Sequence, residues 1–154
     1  MSGGRRAAAL AALALMHAVG DGARAQTSVP GPLRVEADAV PASLTGMAGD
    51  AARGRRIVLD RETGNCLICH RAPEPDERFQ GDIAPTLAGV GRRLTTGQIR
   101  LRLIDQSRLN PATIMPPYYR VDGLRHVAAR FSGKPVLSAA EIEDVVAYLA
   151  TLKD

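Results

Sequence analysis

The chain of 154 residues has no tryptophan, two phenylalanines and three tyrosines. A single domain of this length, so poor in large side chains, can assemble only a thin hydrophobic core of its own. Cysteine is equally scarce: Cys66 and Cys69 are the whole supply, and no second Cys/His pair follows them. A four-ligand zinc site is therefore hard to complete. Excess charge is small too. The formal net charge is +4, and residues 1–25 supply +2 of it, through Arg5, Arg6 and Arg24 against Asp21. The remaining +2, with no basic cluster interleaved with aromatics, argues against nucleic acid as a partner. The apolar run from Ala7 to Leu15 is too short to span a bilayer. Internal repeats and low-complexity segments are absent beyond residue 25.

What is present centres on Asn65-Cys66-Leu67-Ile68-Cys69-His70. The pattern C-x-x-C-H is that of covalent haem attachment. Two cysteines three apart can add their thiols across the two vinyl groups on one porphyrin edge, forming thioethers. The adjacent His70 is then carried under the ring, where an imidazole nitrogen can ligate iron. A thioredoxin-like dithiol would sit in a βαβ setting and needs no neighbouring histidine. A buried porphyrin also supplies the apolar mass that the composition lacks, so the haem-free chain is expected to fold poorly.

Residues 1–25 combine Arg5-Arg6, an apolar run and Ala23-Arg24-Ala25, the three parts of a cleaved secretory signal. The expected location is periplasmic, after export through the Sec route, with Gln26 as the new N-terminus and no membrane span in the mature chain. Residues 26–46, with Pro30, Gly31, Pro32 and Pro41, read as an extended arm, either a disordered tail or a strap packed on the domain or a partner. The domain proper is expected over 47–154. Asp50 offers an N-cap for a helix over about 51–60. Gly54 inside it costs about 1 kcal/mol relative to alanine, which points to a close helix crossing. Residues 71–94 are loop-rich, suited to wrapping a flat ligand. Thr95 or Thr96 caps a helix over about 97–108, and Asn110-Pro111 ends it. A short helix is expected near Arg125–Phe131. Ser138 and Glu141 form a capping box for the last helix, with Ile142, Val145, Val146, Leu149 and Leu152 as its apolar stripe and Tyr148 flanking.

A six-coordinate haem needs a second axial donor. The candidates after residue 25 are Met47, Met115 and His126. Met115 lies in a loop stiffened by Pro111, Pro116 and Pro117, and rigid backbone is what a weak thioether–iron bond requires. His126 sits among Arg125, Arg130 and Lys134 and is expected to face solvent. Met115 is therefore the expected sixth ligand, and His70 with Met115 the metal-ligating pair. A filled sixth site favours electron transfer over oxygen chemistry. Pro116, Pro117, Tyr118 and Tyr119 are expected to brace the Met115 loop, with partner contact as a secondary role.

Residues 47–154 resemble the class I c-type cytochromes. After C-x-x-C-H, Pro85, Leu87, Gly89, Gly91 and Arg93 match the family's P-x-L-x-G-V-G-x-R loop. The resemblance implies an all-α fold, helices and loops wrapped around one covalent haem c and its iron. It implies a hydrogen bond from His70 to the Pro85 carbonyl, and Arg92 or Arg93 near a haem propionate. Gly54 and Tyr148 match the family's glycine–aromatic pair between crossed first and last helices.

Within that class the chain is similar to the SoxX family, subunits of the SoxAX complex of bacterial sulfur oxidation. The stretches that carry this are Gly81-Asp82-Ile83-Ala84-Pro85, Gln98-Ile99-Arg100, Asn110 to Pro116, Tyr118 to Val121, and Gly133 to Leu137 leading into Glu143 to Leu149. Ala84 departs from the glycine that often precedes the loop proline. The resemblance implies a heterodimer with a larger SoxA-like cytochrome. That partner would bear the active-site cysteine of an L-cysteine S-thiosulfotransferase, joining thiosulfate oxidatively to a cysteine of a SoxYZ-like carrier. Both cysteines here would be consumed as thioethers, so no catalytic residue is expected on this chain. Its share would be to pass electrons to a downstream acceptor. The alternatives are a free periplasmic shuttle and a haem subunit of another oxidoreductase. A shuttle should present a small polar interface, a subunit a larger apolar patch.

Overall fold

The structure is a computed structural model that describes residues 33–154. The export signal expected over 1–25, and residues 26–32 of the arm, lie outside the described residues. Among the described residues the architecture is all-α: four helices, three 3-10 turns and no strand beyond a single antiparallel bridge, Glu36 to Ala39. No described helix is long and apolar enough to cross a membrane.

Helix α1, Ala51–Leu59, starts where Asp50 accepts from the Arg53 N–H. Helix α2, Val90–Arg93, is a single turn inside the stretch that composition marks as loop. Helix α3, Thr96–Asp105, opens on a capping box between Thr95 and Gln98 and tightens into a 3-10 turn at Gln106–Arg108. Helix α4, Ala139–Thr151, has the expected Ser138–Glu141 box. The helix expected near Arg125–Phe131 shrinks to a 3-10 turn at Ala129–Phe131. His126 takes a φ of 55°, a left-handed conformation that an α-helix through this stretch cannot contain.

Helix α4 is the hub, packing on α1, α3 and α2. Ile142, Val145, Val146 and Leu149 of its stripe are buried, as are Ile99, Leu101, Leu103 and Ile104 of α3. At the α1–α4 crossing the space for a Cβ on Gly54 is taken by the Asp144 carbonyl and the Val145 nitrogen. The glycine thus allows backbone to meet backbone. Tyr148, one turn on, donates to Glu74 Oε1 at 2.6 Å. Gly91 in α2 likewise lies against the Leu149 and Ala150 carbonyls, and its N–H donates to Leu152 O at 2.8 Å. That contact fastens the loop after the cysteines to the end of α4.

The described part of the arm is strapped onto the helices. Val40 is buried and its N–H donates to Gly97 O at 3.0 Å. Arg100 and Glu143 form a buried two-pronged ion pair, at 2.7 and 2.8 Å. Arg100 also donates to Val40 O at 2.7 Å, and Glu143 accepts from Leu44 N–H at 2.9 Å.

Candidate haem-binding site

The C-x-x-C-H segment leaves α1 through a turn in which Asp60 Oδ1 accepts from the N–H groups of Glu62 and Thr63, at 2.8 and 2.6 Å. Asn65, at φ 52°, then sends the chain into the 3-10 turn Cys66–Ile68. Leu67, 1% exposed, anchors that turn in the core. The N–H groups of Cys69 and His70 both donate to Cys66 O, at 3.2 and 3.0 Å. This tight spiral directs Cys66, Cys69 and His70 to the lining of one cavity of about 480 Å³. The volume falls within the range of about 300–1,000 Å³ usual for ligand sites. Val58, Leu87, Leu103, Val145 and Leu149 contribute apolar walls.

The following loop runs back along the motif. Gly81 N–H donates to Leu67 O at 2.7 Å, Ala84 N–H to Cys69 O at 3.0 Å and Leu87 N–H to Arg71 O at 2.7 Å. Ala84 therefore fits the geometry without a glycine. The register brings Pro85 O to 2.6 Å from His70 Nδ1. A carbonyl can only accept, so Nδ1 carries the proton and Nε2 is left with a free lone pair for a metal.

Met115 lines the same cavity and packs against the core. The rival donors do not: Met47 is 71% exposed, and His126 is exposed and outside the lining. Tyr118 and Tyr119 are both buried, and their N–H groups tie the residues after Met115 to Leu103 O and Ile104 O at the end of α3, at 3.0 and 3.4 Å. Neither Arg92 nor Arg93 lines the cavity. Arg93 spends its guanidinium on the loop, donating to Ala88 O at 2.5 Å and Thr86 O at 2.8 Å, and so steadies the segment that presents Pro85. The cations that do line the cavity are Arg61, Arg102, Arg120, Arg125, Arg130 and Lys134. A sequence signal for part of this set exists. No carboxylate lies between Asp122 and Glu141, so Arg125, Arg130 and Lys134 have no local counter-charge.

Two rival chemistries fit less well. Burial pushes the Cys66 thiol up to about 11, whereas redox-active dithiols hold a thiolate at lowered pKa. Among the described residues no cluster of three His, Cys, Asp or Glu side chains is placed to hold a metal ion. The donor set suits a haem: two thiols on one side, an imidazole with its far nitrogen tied, a thioether, and a mainly apolar wall.

No protein-family model and no curated protein matches this chain. Among solved structures, a chain of the crystal structure of SoxXA from P. pantotrophus is 43% identical, with a TM-score of 0.72. The match covers 78% of this chain and 94% of that one. The chain belongs to the SoxX family of class I c-type cytochromes. As a SoxX-family chain it shares the helical fold of that neighbour, and its own C-x-x-C-H turn lines the cavity.

Proposed function

We propose that this SoxX-family chain carries one covalent haem c and acts as the electron-transfer subunit of a periplasmic thiosulfate-oxidising complex. The observation that carries the reading is the convergence of Cys66, Cys69, His70 and Met115 on one cavity, with His70 Nδ1 held by Pro85 O. Cys66 and Cys69 would hold the group as thioethers, His70 Nε2 would take one axial position and Met115 the other. Haem c supplies a one-electron redox centre, whose potential a thioether ligand raises relative to a second imidazole. The chain's own residues fix the imidazole tautomer, exclude water with apolar walls, and line the cavity with cations suited to carboxylate groups. With both thiols committed, no nucleophile remains for sulfur, so the active-site cysteine belongs on a larger SoxA-like partner and the cysteine that receives thiosulfate on a SoxYZ-like carrier. A SoxYZ-like carrier would then be reached only through that complex.

Exposed apolar side chains favour a subunit over a free shuttle. Phe79 and Ile83 stand out from the loop held against the motif, 80% and 67% exposed and outside the cavity lining. Large apolar side chains left open in this way fit a partner surface. Size-exclusion of native periplasm from thiosulfate-grown cells, followed by haem absorbance, tests the reading. Co-elution with a stoichiometric larger cytochrome bearing a modified cysteine is the expected result. Elution alone as a small haem protein would refute the subunit role and leave a shuttle.

A further inference from the structure

Tyr118 joins the two walls of the cavity. Its ring is buried, and its hydroxyl donates to Gly64 O at 2.7 Å. Gly64 lies two residues before Cys66, on the side that carries the cysteines and His70. The tyrosine backbone belongs to the other side. Its N–H donates to Leu103 O near the end of α3 at 3.0 Å, and its carbonyl accepts from Leu137 N–H at 2.9 Å. Between Tyr118 and Met115 stand only Pro116 and Pro117, whose rings lock φ and remove two backbone donors. Little freedom is left in that link to absorb a displacement. Movement of Tyr118 is passed to Met115.

The other donor to the Gly64 carbonyl is the Cys66 thiol, at 3.6 Å. Thioether formation consumes that S–H, after which the Tyr118 hydroxyl is the remaining side-chain donor to this carbonyl. We infer that Tyr118 is a positioning residue, a strut from α3 to the haem-attachment turn that sets where Met115 stands relative to His70. The inference rests on Met115 as sixth ligand. A thioether–iron bond is weak, so its occupancy depends on how firmly the loop holds sulfur in place. Removing the strut lets exogenous ligands compete better.

The test uses the haem-loaded protein as exported, with the methionine-to-iron charge-transfer band and a titration with imidazole as readouts. Tyr118→Phe removes one hydroxyl and keeps the ring. Haem should stay attached on a denaturing gel, the band should weaken, and imidazole should bind about tenfold more tightly, the factor equivalent to about 1.4 kcal/mol. Tyr148→Phe, which loses the hydroxyl bonded to Glu74 away from the cavity, serves as the control for general loosening. It should leave imidazole affinity unchanged. Unchanged affinity in Tyr118→Phe, or an equal rise in Tyr148→Phe, overturns the strut. Met115→Ala separates the two levels. If it leaves the ferric spectrum unchanged, the sixth-ligand reading falls and the strut with it. If it shifts the spectrum while Tyr118→Phe does not, the strut alone falls.

Discussion

Replacing Glu143 by glutamine should cost about 3–5 kcal/mol, because it breaks a buried ion pair from one side. Arg100 and Glu143 are 5% and 3% exposed, so water cannot take over for either. The carboxylate accepts three N–H groups, from Arg100 Nε at 2.7 Å, Arg100 Nη2 at 2.8 Å and Leu44 N at 2.9 Å. A glutamine has one acceptor oxygen, and its amide would point a donor at another donor. The Arg100 charge would then be buried without its counter-charge. Urea unfolding of the haem-loaded protein, followed by circular dichroism, measures the loss. With a denaturant slope of about 1–3 kcal/mol per molar for small domains, the midpoint should fall by at least about 1 M. A double variant, Arg100→Met with Glu143→Leu, tests the mechanism. Apolar replacement of both partners removes the buried charge, so most of the stability should return. The strap should not return with it, because Val40 O and Leu44 N–H lose their side-chain partners and the arm can release them to water. Limited proteolysis should then cut within residues 33–46. A midpoint shift below about 0.3 M in Glu143→Gln, or a protease-resistant arm in the double variant, would refute the reasoning.

Gly54→Ala separates packing from helix propensity. Propensity alone predicts a gain of about 1 kcal/mol, whereas the Asp144 carbonyl in the Cβ position predicts a loss of about 1–3 kcal/mol, and thermal unfolding reads the sign. Acid stability follows from two carboxylates. The Arg55 guanidinium holds Glu74 below its ordinary 4.5 despite partial burial; for Asp144, burial pushes upward but the hydrogen bonds from Arg53 and the Asp50 N–H outweigh it, leaving it below 3.8. Both contributions are complete above those ordinary values and are lost as pH falls through the depressed ones. Melting temperature should therefore hold near neutrality and fall below about pH 4.5, and Glu74→Gln should flatten part of that fall.

The helices were legible where local chemistry decides them. Asp50, the Thr95–Gln98 pair and the Ser138–Glu141 pair each cap their own helix, so the starts of α1, α3 and α4 can be read from a few adjacent residues. Helix α2 could not be read that way. Gly89-Val90-Gly91 is poor helix sequence, and its single turn is held by a contact across the fold, Gly91 N–H to Leu152 O. The same division runs through the site. Cys66, Cys69 and His70 announce themselves by spacing, and Pro85 follows from the loop motif. Which arginines reach the cavity depends on side-chain direction and on competing acceptors. Arg93 was plausible by position, but the Thr86 and Ala88 carbonyls are nearer claims on it.

The scarcity of large side chains and the cavity are one fact seen at two scales. Among the described residues eighteen apolar side chains are buried in one cluster, and Val58, Leu87, Val90, Ile99, Leu103, Tyr118, Val145 and Leu149 of that cluster also wall the cavity. The side chains that wall a hollow of about 480 Å³ lack apolar neighbours on that side unless haem supplies them, so a chain prevented from acquiring haem should not hold its packing. Cys66→Ala with Cys69→Ala, expressed without haem, should keep some helical circular dichroism but lose near-ultraviolet signal, bind a hydrophobic dye and unfold without a sharp transition. The Arg100–Glu143 pair and its hydrogen bonds to the arm lie outside the cavity lining and need no haem. If those contacts alone suffice, the haem-free variant will unfold cooperatively, and the cavity would then be a preformed socket that the rest of the fold supports.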